Sequence, residues 1–330
     1  MSENRTFFRE TVERILADTL THNHIEATER RELPAALYAA LAENGVTLML
    51  VPEESGGIGA SVGDAVAILR AMGTAAAPGP ILETILGNAL LAKAGLDPVE
   101  GTIALAFADD NATALHDVAW GGVADHVLIV TPTGLCLTAS SDWTVTPGLD
   151  AADEPRDTLT DGPNCSVTPF DTSSAKRTAA ILRAGHILGA VEWTLVRSID
   201  YAGERKQFGR EISKFQVIQQ MLAELAAHLL ASTVLTEAAA ESLSDTMIAA
   251  ARSRLGDAAD AAITIGHQVH GAIGFSREYA LNHRTRRLMA WRDDFGSVLE
   301  WRRALAGAFV TCSREEFWPA VSDAGLKSAD

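Results

Sequence analysis

A chain of 330 residues, 47% hydrophobic and 21% charged, has the composition of an ordinary globular protein and the length for more than one packed core. Its formal net charge of −16 and pI near 5.0 exclude a general binder of nucleic acid or anionic membrane, whose surface must be basic. Cys136, Cys165 and Cys312 are odd in number and widely spaced, a pattern that gives neither a zinc site nor a disulfide framework and fits a reducing cytoplasm.

The start of the chain, Met1-Ser2-Glu3-Asn4-Arg5, lacks the basic segment and apolar core of a signal peptide. Phe7, Val12, Ile15 and Leu16 then mark one amphipathic helix, and Leu33, Leu37, Tyr38, Leu41 and Ala42 a second, closed by Asn44-Gly45. A short apolar piece, 47–51, runs into the turn-rich Pro52-Glu53-Glu54-Ser55-Gly56-Gly57. Helical periodicity returns over 61–72, stops at Pro78 and Pro80, and resumes over 83–93. After Gly101 the pattern is strand-like at 102–107, 126–130, 135–138, 143–146 and 166–168, with Pro132-Thr133-Gly134 turning a hairpin. Long helices follow over 179–202, 212–242 and 244–269, and a last one over about 296–317. Arg183 and His186 interrupt the apolar stretch 179–193, so no run is expected to be long enough to cross a bilayer. Helices, then strands, then helices is an α+β order, mostly α, with domains at 1–100, 101–170 and 171–330.

Chemistry concentrates in two segments. Arg205-Lys206-Gln207-Phe208-Gly209, continued by Ile212, Phe215, Gln216 and Gln219, joins a fixed cation, a turn glycine and amides at helical spacing. Arg205 presents a planar fork suited to a pyrophosphate, or else pairs on the surface with Glu204 or Glu211. The second segment, Gln268-Val269-His270-Gly271-Ala272-Ile273-Gly274-Phe275, places glycine where a backbone can approach a ligand closely. The basic run Arg284-Thr285-Arg286-Arg287 reads either as a site for one anionic ligand or as a solvated, ion-paired helix face. His186 and His228 read as core or interface histidines, and the nine histidines do not meet cysteines or carboxylates at ligand spacing, so no metal is expected.

These segments resemble the flavin-binding signatures of the acyl-CoA dehydrogenase family. Leu41-Ala42-Glu43-Asn44-Gly45, Val51-Pro52-Glu53-Glu54 and Gly56-Gly57-x-Gly59 are similar to its N-terminal signature, and Arg277-Glu278-Tyr279 extends the C-terminal one. The resemblance covers nearly the whole chain and implies an N-terminal helical domain, a small middle β-domain and a C-terminal four-helix bundle. It also implies FAD, contacted across a subunit boundary by Arg205, Gln207, Phe208, Gln268 and Gly271, with Ala272 standing where many relatives have a second glycine. His270 reads as a donor to flavin or phosphate or, with more weight, as a buried structural histidine.

The chain departs from that family at the catalytic base. Acyl-CoA dehydrogenation needs a carboxylate within hydrogen-bond range of the substrate α-carbon, in a dry pocket. The resemblance places Phe295, followed by Gly296-Ser297, at the usual base position, and Ala179 at the alternative one. Asp294 is the adjacent candidate, weighed against a capping role for Asp293 and Asp294 ahead of the last helix. The Gly- and Ser-bearing flavin wall of the middle domain is also unrecognisable in 107–113 and in Ala119-Trp120-Gly121-Gly122, where Trp120 reads as packing. The resemblance therefore points to the short, non-catalytic partner subunit of a heteromeric acyl-CoA dehydrogenase of the steroid-degradation type. A longer catalytic paralogue would share the FAD, the substrate would be a bulky acyl-CoA thioester, and the electron acceptor would be an electron-transfer flavoprotein or similar. The alternatives are a self-sufficient homo-oligomer with Asp294 as base and a flavin-free structural or regulatory paralogue. A cytoplasmic location is expected.

Overall fold

In the computed structural model, residues 3–110 and 112–323 are described; Met1, Ser2 and Asn111, each part of a sequence expectation above, lie outside them. The first of two units comprises Met1–Ala65 and Ala77–Ala179. It opens with helices α1 (Glu3–Thr19), α2 (His22–Glu26) and α3 (Ala35–Glu43). Val12, Ile15, Leu16, Leu37 and Leu41 are buried, as the apolar period predicts. Helix α4 (Val62–Ala75) begins in this unit behind Ser61, whose hydroxyl accepts from the Asp64 N–H at 3.1 Å. Helix α5 (Ile81–Lys93) is buried at every residue from Ile81 to Leu91 and packs on the first strand.

Seven strands follow in two sheets: β1 (Ile103–Phe107), β2 (Ala114–Ala119), β3 (His126–Thr131), β4 (Gly134–Ala139), β5 (Thr144–Thr146), β6 (Arg156–Thr160) and β7 (Thr168–Pro169). One sheet runs β1-β3-β4-β7, with β1 parallel to β3, and the other β2-β6-β5. The predicted hairpin is present, closing with Thr131 opposite Gly134. Ala104, Leu115, Val118, Val127 and Leu159 share one apolar core. Strands β2 and β6 were not anticipated. The register shifts between Leu115 and Val118, with Asp117 at φ +58, so β2 never shows clean two-residue alternation.

The cysteine expectation is corrected here. Cys136 on β4 and Cys165, 29 residues later, form a disulfide with Cα atoms 5.9 Å apart, leaving Cys312 free. Spacing along a chain does not report the fold-back that brings two thiols together. The histidine expectation also fails in this unit: His22 and Glu26 meet one turn apart on α2, at 3.4 Å.

The second unit comprises Val66–Ala76 and Ala180–Asp330. It holds most of α6 (Ala175–Glu204), the hairpin β8 (Lys206–Gln207) and β9 (Arg210–Glu211), and helices α7 (Gln216–Ser242), α8 (Asp245–His270), α9 (Ala280–Trp291), α10 (Val298–Phe309) and α11 (Arg314–Asp323). Helix α8 packs against α7, α9 and α10. Two of the glycines inside α6 have a packing reason: a Cβ at Gly185 or Gly189 would strike the Val66 or the Arg70 carbonyl of α4, so only glycine lets the helices approach so closely.

Three expectations change in this unit. The single last helix is two, because Ser297 with Glu300 and Ser313 with Glu316 each cap a new start. Helix α9, which carries the basic run, faces inward rather than to solvent. Arg284 and Arg287 are buried, and Arg284 lies 4.1 Å over the Trp193 ring while donating to the Thr74 carbonyl. Finally, α6 and α7 each hold an 18-residue stretch of mean hydropathy 1.2, long and apolar enough by length and composition to cross a bilayer. Helix α6 is largely buried core, whereas α7 is largely exposed, with Val217, Leu230 and Val234 more than half open.

Candidate cofactor site and base position

Helix α6 ends at Glu204, and the Arg205 N–H still bonds the Tyr201 carbonyl at 2.8 Å. The β8–β9 hairpin then turns through Phe208 and Gly209 at φ +52 and +79, as a two-residue type I′ turn demands. Gly209 adopts this freely. Phe208 does so at a cost of order 1 kcal/mol or more, and its ring, 91% exposed, meets Phe215 edge-on at 6.2 Å. A strained, exposed aromatic at a turn tip is a group presented outward.

Arg205 is exposed, and among the described residues its guanidinium has no hydrogen bond or ion pair. The carboxylates weighed as its surface partners are engaged elsewhere, Glu204 with Arg197 at 3.5 Å and Glu211 with Lys214 at 3.8 Å. The donor fork is therefore open to a ligand.

The end of α8 supplies the other wall. Gln268 is exposed, His270 is buried, and Gly271 caps the helix at φ +63, a conformation that L side chains resist. Arg205, Gln207, Phe208, Gln268 and Gly271, from segments some 60 residues apart, line one cavity of about 490 Å³, with Tyr201 and His270 beside them. Gln216 and Gln219 do not line it, and Gln219 donates to the Ser213 carbonyl at 3.0 Å instead. The chemistry of this wall suits one part of a dinucleotide: an open guanidinium and two side-chain amides for a pyrophosphate, with aromatic faces for a planar ring.

His270 donates from Nδ1 to the Gly266 carbonyl at 2.8 Å and stacks on Tyr201 with ring centroids 4.5 Å apart. Burial holds its pKa below the usual value, against the hydrogen bond to Gly266, and the charge of Arg197 lowers it further.

The base region is built differently. Asp294 is buried and its Oδ2 lies 3.0 Å from Arg183 Nε, both side chains 6% exposed. Arg252 Nη2 donates to the backbone carbonyls of Arg292 and Asp294 at 2.9 and 2.8 Å, holding the segment after α9. Burial lowers the Arg252 pKa to about 10. Asp293, not Asp294, takes the capping role, accepting from the Val298 N–H at 3.1 Å. Phe295 follows at φ +58 with its ring 5.7 Å from the Arg183 guanidinium. Ala179, at the alternative base position, is fully buried in the first unit. Sequence reading noticed Arg183 only as an interruption and missed Arg252; an arginine set directly against apolar neighbours, after Ile181-Leu182 and after Ala249-Ala250-Ala251, was the available signal.

The segment weighed as a flavin wall is structural. Trp120 is 2% exposed, and the Gly122 N–H donates to Asp157 Oδ2 at 2.8 Å. That carboxylate also receives both Nη atoms of Arg31, at 2.9 and 2.6 Å.

Comparison with known proteins bears on these features. Residues 2–98 match the acyl-CoA dehydrogenase N-terminal domain and residues 174–293 the acyl-CoA dehydrogenase C-terminal domain. The chain is 29% identical over 286 residues to acyl-CoA dehydrogenase IpdE2 of Mycolicibacterium smegmatis, covering 84% of this chain and 90% of that protein. Its fold is that of a chain in the ChsE4-ChsE5 complex from Mycobacterium tuberculosis, with TM-score 0.84, 20% identity, and coverage of 95% of this chain and 99% of that one. A Tcur3481-Tcur3483 steroid ACAD variant matches with TM-score 0.81 and 20% identity, over 92% and 97% of the two chains. With both terminal domains matched in order and a near-full-length relative, this chain belongs to the acyl-CoA dehydrogenase family, oxidoreductases that act on acyl-CoA thioesters.

Proposed function

We propose that this chain is the non-catalytic partner subunit of a heteromeric, FAD-dependent acyl-CoA dehydrogenase. The observation that carries the reading is the state of Asp294. The carboxylate adjacent to the family's base position is buried in an ion pair with Arg183, Asp293 before it is engaged with the Val298 N–H and Arg292, and Phe295 and Ala179 cannot accept a proton at all. A general base must reach the substrate proton within hydrogen-bond distance, and a carboxylate buried against a guanidinium is not free to do so.

In this reading the Arg205 cavity contributes one side of a cofactor site shared across an interface. FAD, when bound, would supply the hydride acceptor for α,β-dehydrogenation of the thioester. Arg205 would neutralise and orient the pyrophosphate, Gln207 and Gln268 would fix it through their amides, and Phe208 would cover the adenosine side. Gly271 would let the backbone come close. The exposed apolar side of α7, continuous with the cavity wall at Val217 and Ile218, supports a protein partner on this face. The ChsE4-ChsE5 and Tcur3481-Tcur3483 pairs lend this reading a precedent in fold, and the latter's steroid label supports a bulky acyl-CoA substrate. The acceptor that reoxidises the flavin would be an electron-transfer flavoprotein or a similar carrier.

The test is the visible spectrum of the chain purified alone and after co-expression with a longer paralogue that carries a Glu-Gly base. A colourless chain that yields a yellow complex, with about one FAD per two chains, is the expected result. A yellow chain that an acyl-CoA bleaches without any partner overturns the reading.

A further inference from the structure

We propose that His270 is a ligand-contacting residue of the Arg205 cavity, its Nε2 accepting a hydrogen bond from an O–H or N–H of the adenosine portion of a dinucleotide. The inference rests on the nucleotide reading of the cavity and adds to it a named atom and a recognition role.

Nδ1 of His270 lies 2.8 Å from the Gly266 carbonyl, one helical turn back. A carbonyl can only accept, so Nδ1 carries the proton and Nε2 carries the lone pair. Nε2 is buried and has no hydrogen-bond partner among the described residues. His270 as a whole is 3% exposed, yet it lines the cavity together with Arg205 and Gln268.

The surroundings keep the ring in this state. Tyr201 on α6 stacks on one face and its hydroxyl donates to the His270 carbonyl at 3.3 Å, so that hydroxyl does not serve Nε2. Tyr279 lies 5.4 Å from the ring, and its own hydroxyl receives Arg197 Nε at 3.2 Å. Burial and the Arg197 charge keep the imidazole neutral, and therefore an acceptor.

A buried acceptor without a donor is unfavourable, and a ligand donor removes the deficit. The diester phosphates of a dinucleotide carry no proton at neutral pH and cannot donate to Nε2. The matching donors on a dinucleotide are the adenine amino group and the ribose hydroxyls. His270 thus reads the nucleoside, while Arg205 reads the charge. Because Nε2 is shut off from water in the free chain, contact needs a small movement of the side chains that cover it.

The experiment is calorimetric titration of the full-length chain with ADP and, separately, with pyrophosphate. His270→Phe keeps a ring to stack and loses the acceptor; it should weaken ADP about 3- to 10-fold, the range for one neutral hydrogen bond, and leave pyrophosphate unchanged. His270→Gln, which retains an acceptor, should recover most of the ADP affinity. Nitrogen-15 spectra should place the proton on Nδ1 and show Nε2 shifting on ADP addition. Equal ADP affinity in wild type and His270→Phe overturns the role of His270 while leaving the cavity a nucleotide site. Equal weakening toward both ligands makes the residue structural only. Wild type that binds neither ligand, alone or after co-expression with the longer paralogue, removes the nucleotide reading itself, and this proposal with it.

Discussion

Asp294 and Arg183 form a buried ion pair, Oδ2 to Nε at 3.0 Å, directly before the position where the family carries its catalytic base. The pair anchors the segment in which Phe295 sits in the left-handed region and, in the partner-subunit reading, withdraws the nearest carboxylate from chemistry. Asp294→Asn should therefore lower unfolding free energy by about 3–5 kcal/mol, because it strands a buried guanidinium. Denaturant titration measures that change. Turnover per folded complex should fall by less than about tenfold; a loss of several hundredfold would reinstate Asp294 as the base.

Arg205 gives the opposite signature. It is exposed and makes no side-chain hydrogen bond or ion pair among the described residues, so Arg205→Ala should change stability by no more than about 0.5 kcal/mol. FAD affinity of the complex should drop about 10- to 100-fold, as for loss of a charge-assisted hydrogen bond. Flavin absorbance after dialysis reads the effect, and unchanged retention removes Arg205 from the site.

In the first unit, the Asp157 side chain is fully buried and accepts both Nη atoms of Arg31 and the Gly122 N–H. Asp157→Ala would leave Arg31 and two backbone amides, those of Gly122 and Gly148, without their acceptor. The expected loss is about 3–5 kcal/mol, visible as a lower denaturation midpoint, with no direct effect on the residues of the Arg205 cavity.

The Cys136–Cys165 disulfide closes a loop across a separation of 29 residues. Loop-closure entropy for that length is worth about 3–4 kcal/mol. Reductant should lower the thermal midpoint of wild type and leave a Cys136→Ala, Cys165→Ala double variant unmoved. Identical midpoints with and without reductant would show that the bond contributes nothing to stability.

His186 makes stability depend on pH. Its pKa is held well below the usual value of 6.5, chiefly by burial and then by the charges of Arg183 and Arg287. The unfolded chain takes up a proton near pH 6.5 that the folded chain refuses until a lower pH, so the unfolded state binds more protons in that window. Stability is thus full above about 6.5 and falls as pH drops toward the lowered folded value, by up to about 1.4 kcal/mol per pH unit for this group. His186→Gln should flatten that slope in denaturation curves taken between pH 7 and pH 5.

Most of the long helices and several strands were legible because their information is local. Apolar residues at helical spacing announced Leu37 and Leu41, a Pro-Thr-Gly turn announced the β3–β4 hairpin, and Phe208-Gly209 announced a bend. Strand β2 was not legible, since a register shift and a left-handed Asp117 erase its alternation. Helix α9 escaped because its buried side has arginines where a period count expects aliphatic residues. Arg284 is accommodated there by the face of Trp193 and by a backbone carbonyl, neither of which sequence displays.

Sequence by itself determined the order of helices and strands, the family and the two segments that supply Arg205 and Gln268, because propensity, turn chemistry and motif spacing act within a few residues. Tertiary structure alone decided that Arg205 is open while its neighbouring glutamates are engaged, that Asp294 belongs to Arg183, that Cys136 meets Cys165, and that α7 keeps an apolar side exposed. Each of these depends on which distant partner reaches a charge, a thiol or a methyl group first. That competition is settled by packing in three dimensions, where residues 29 or more than 100 positions apart come within contact distance.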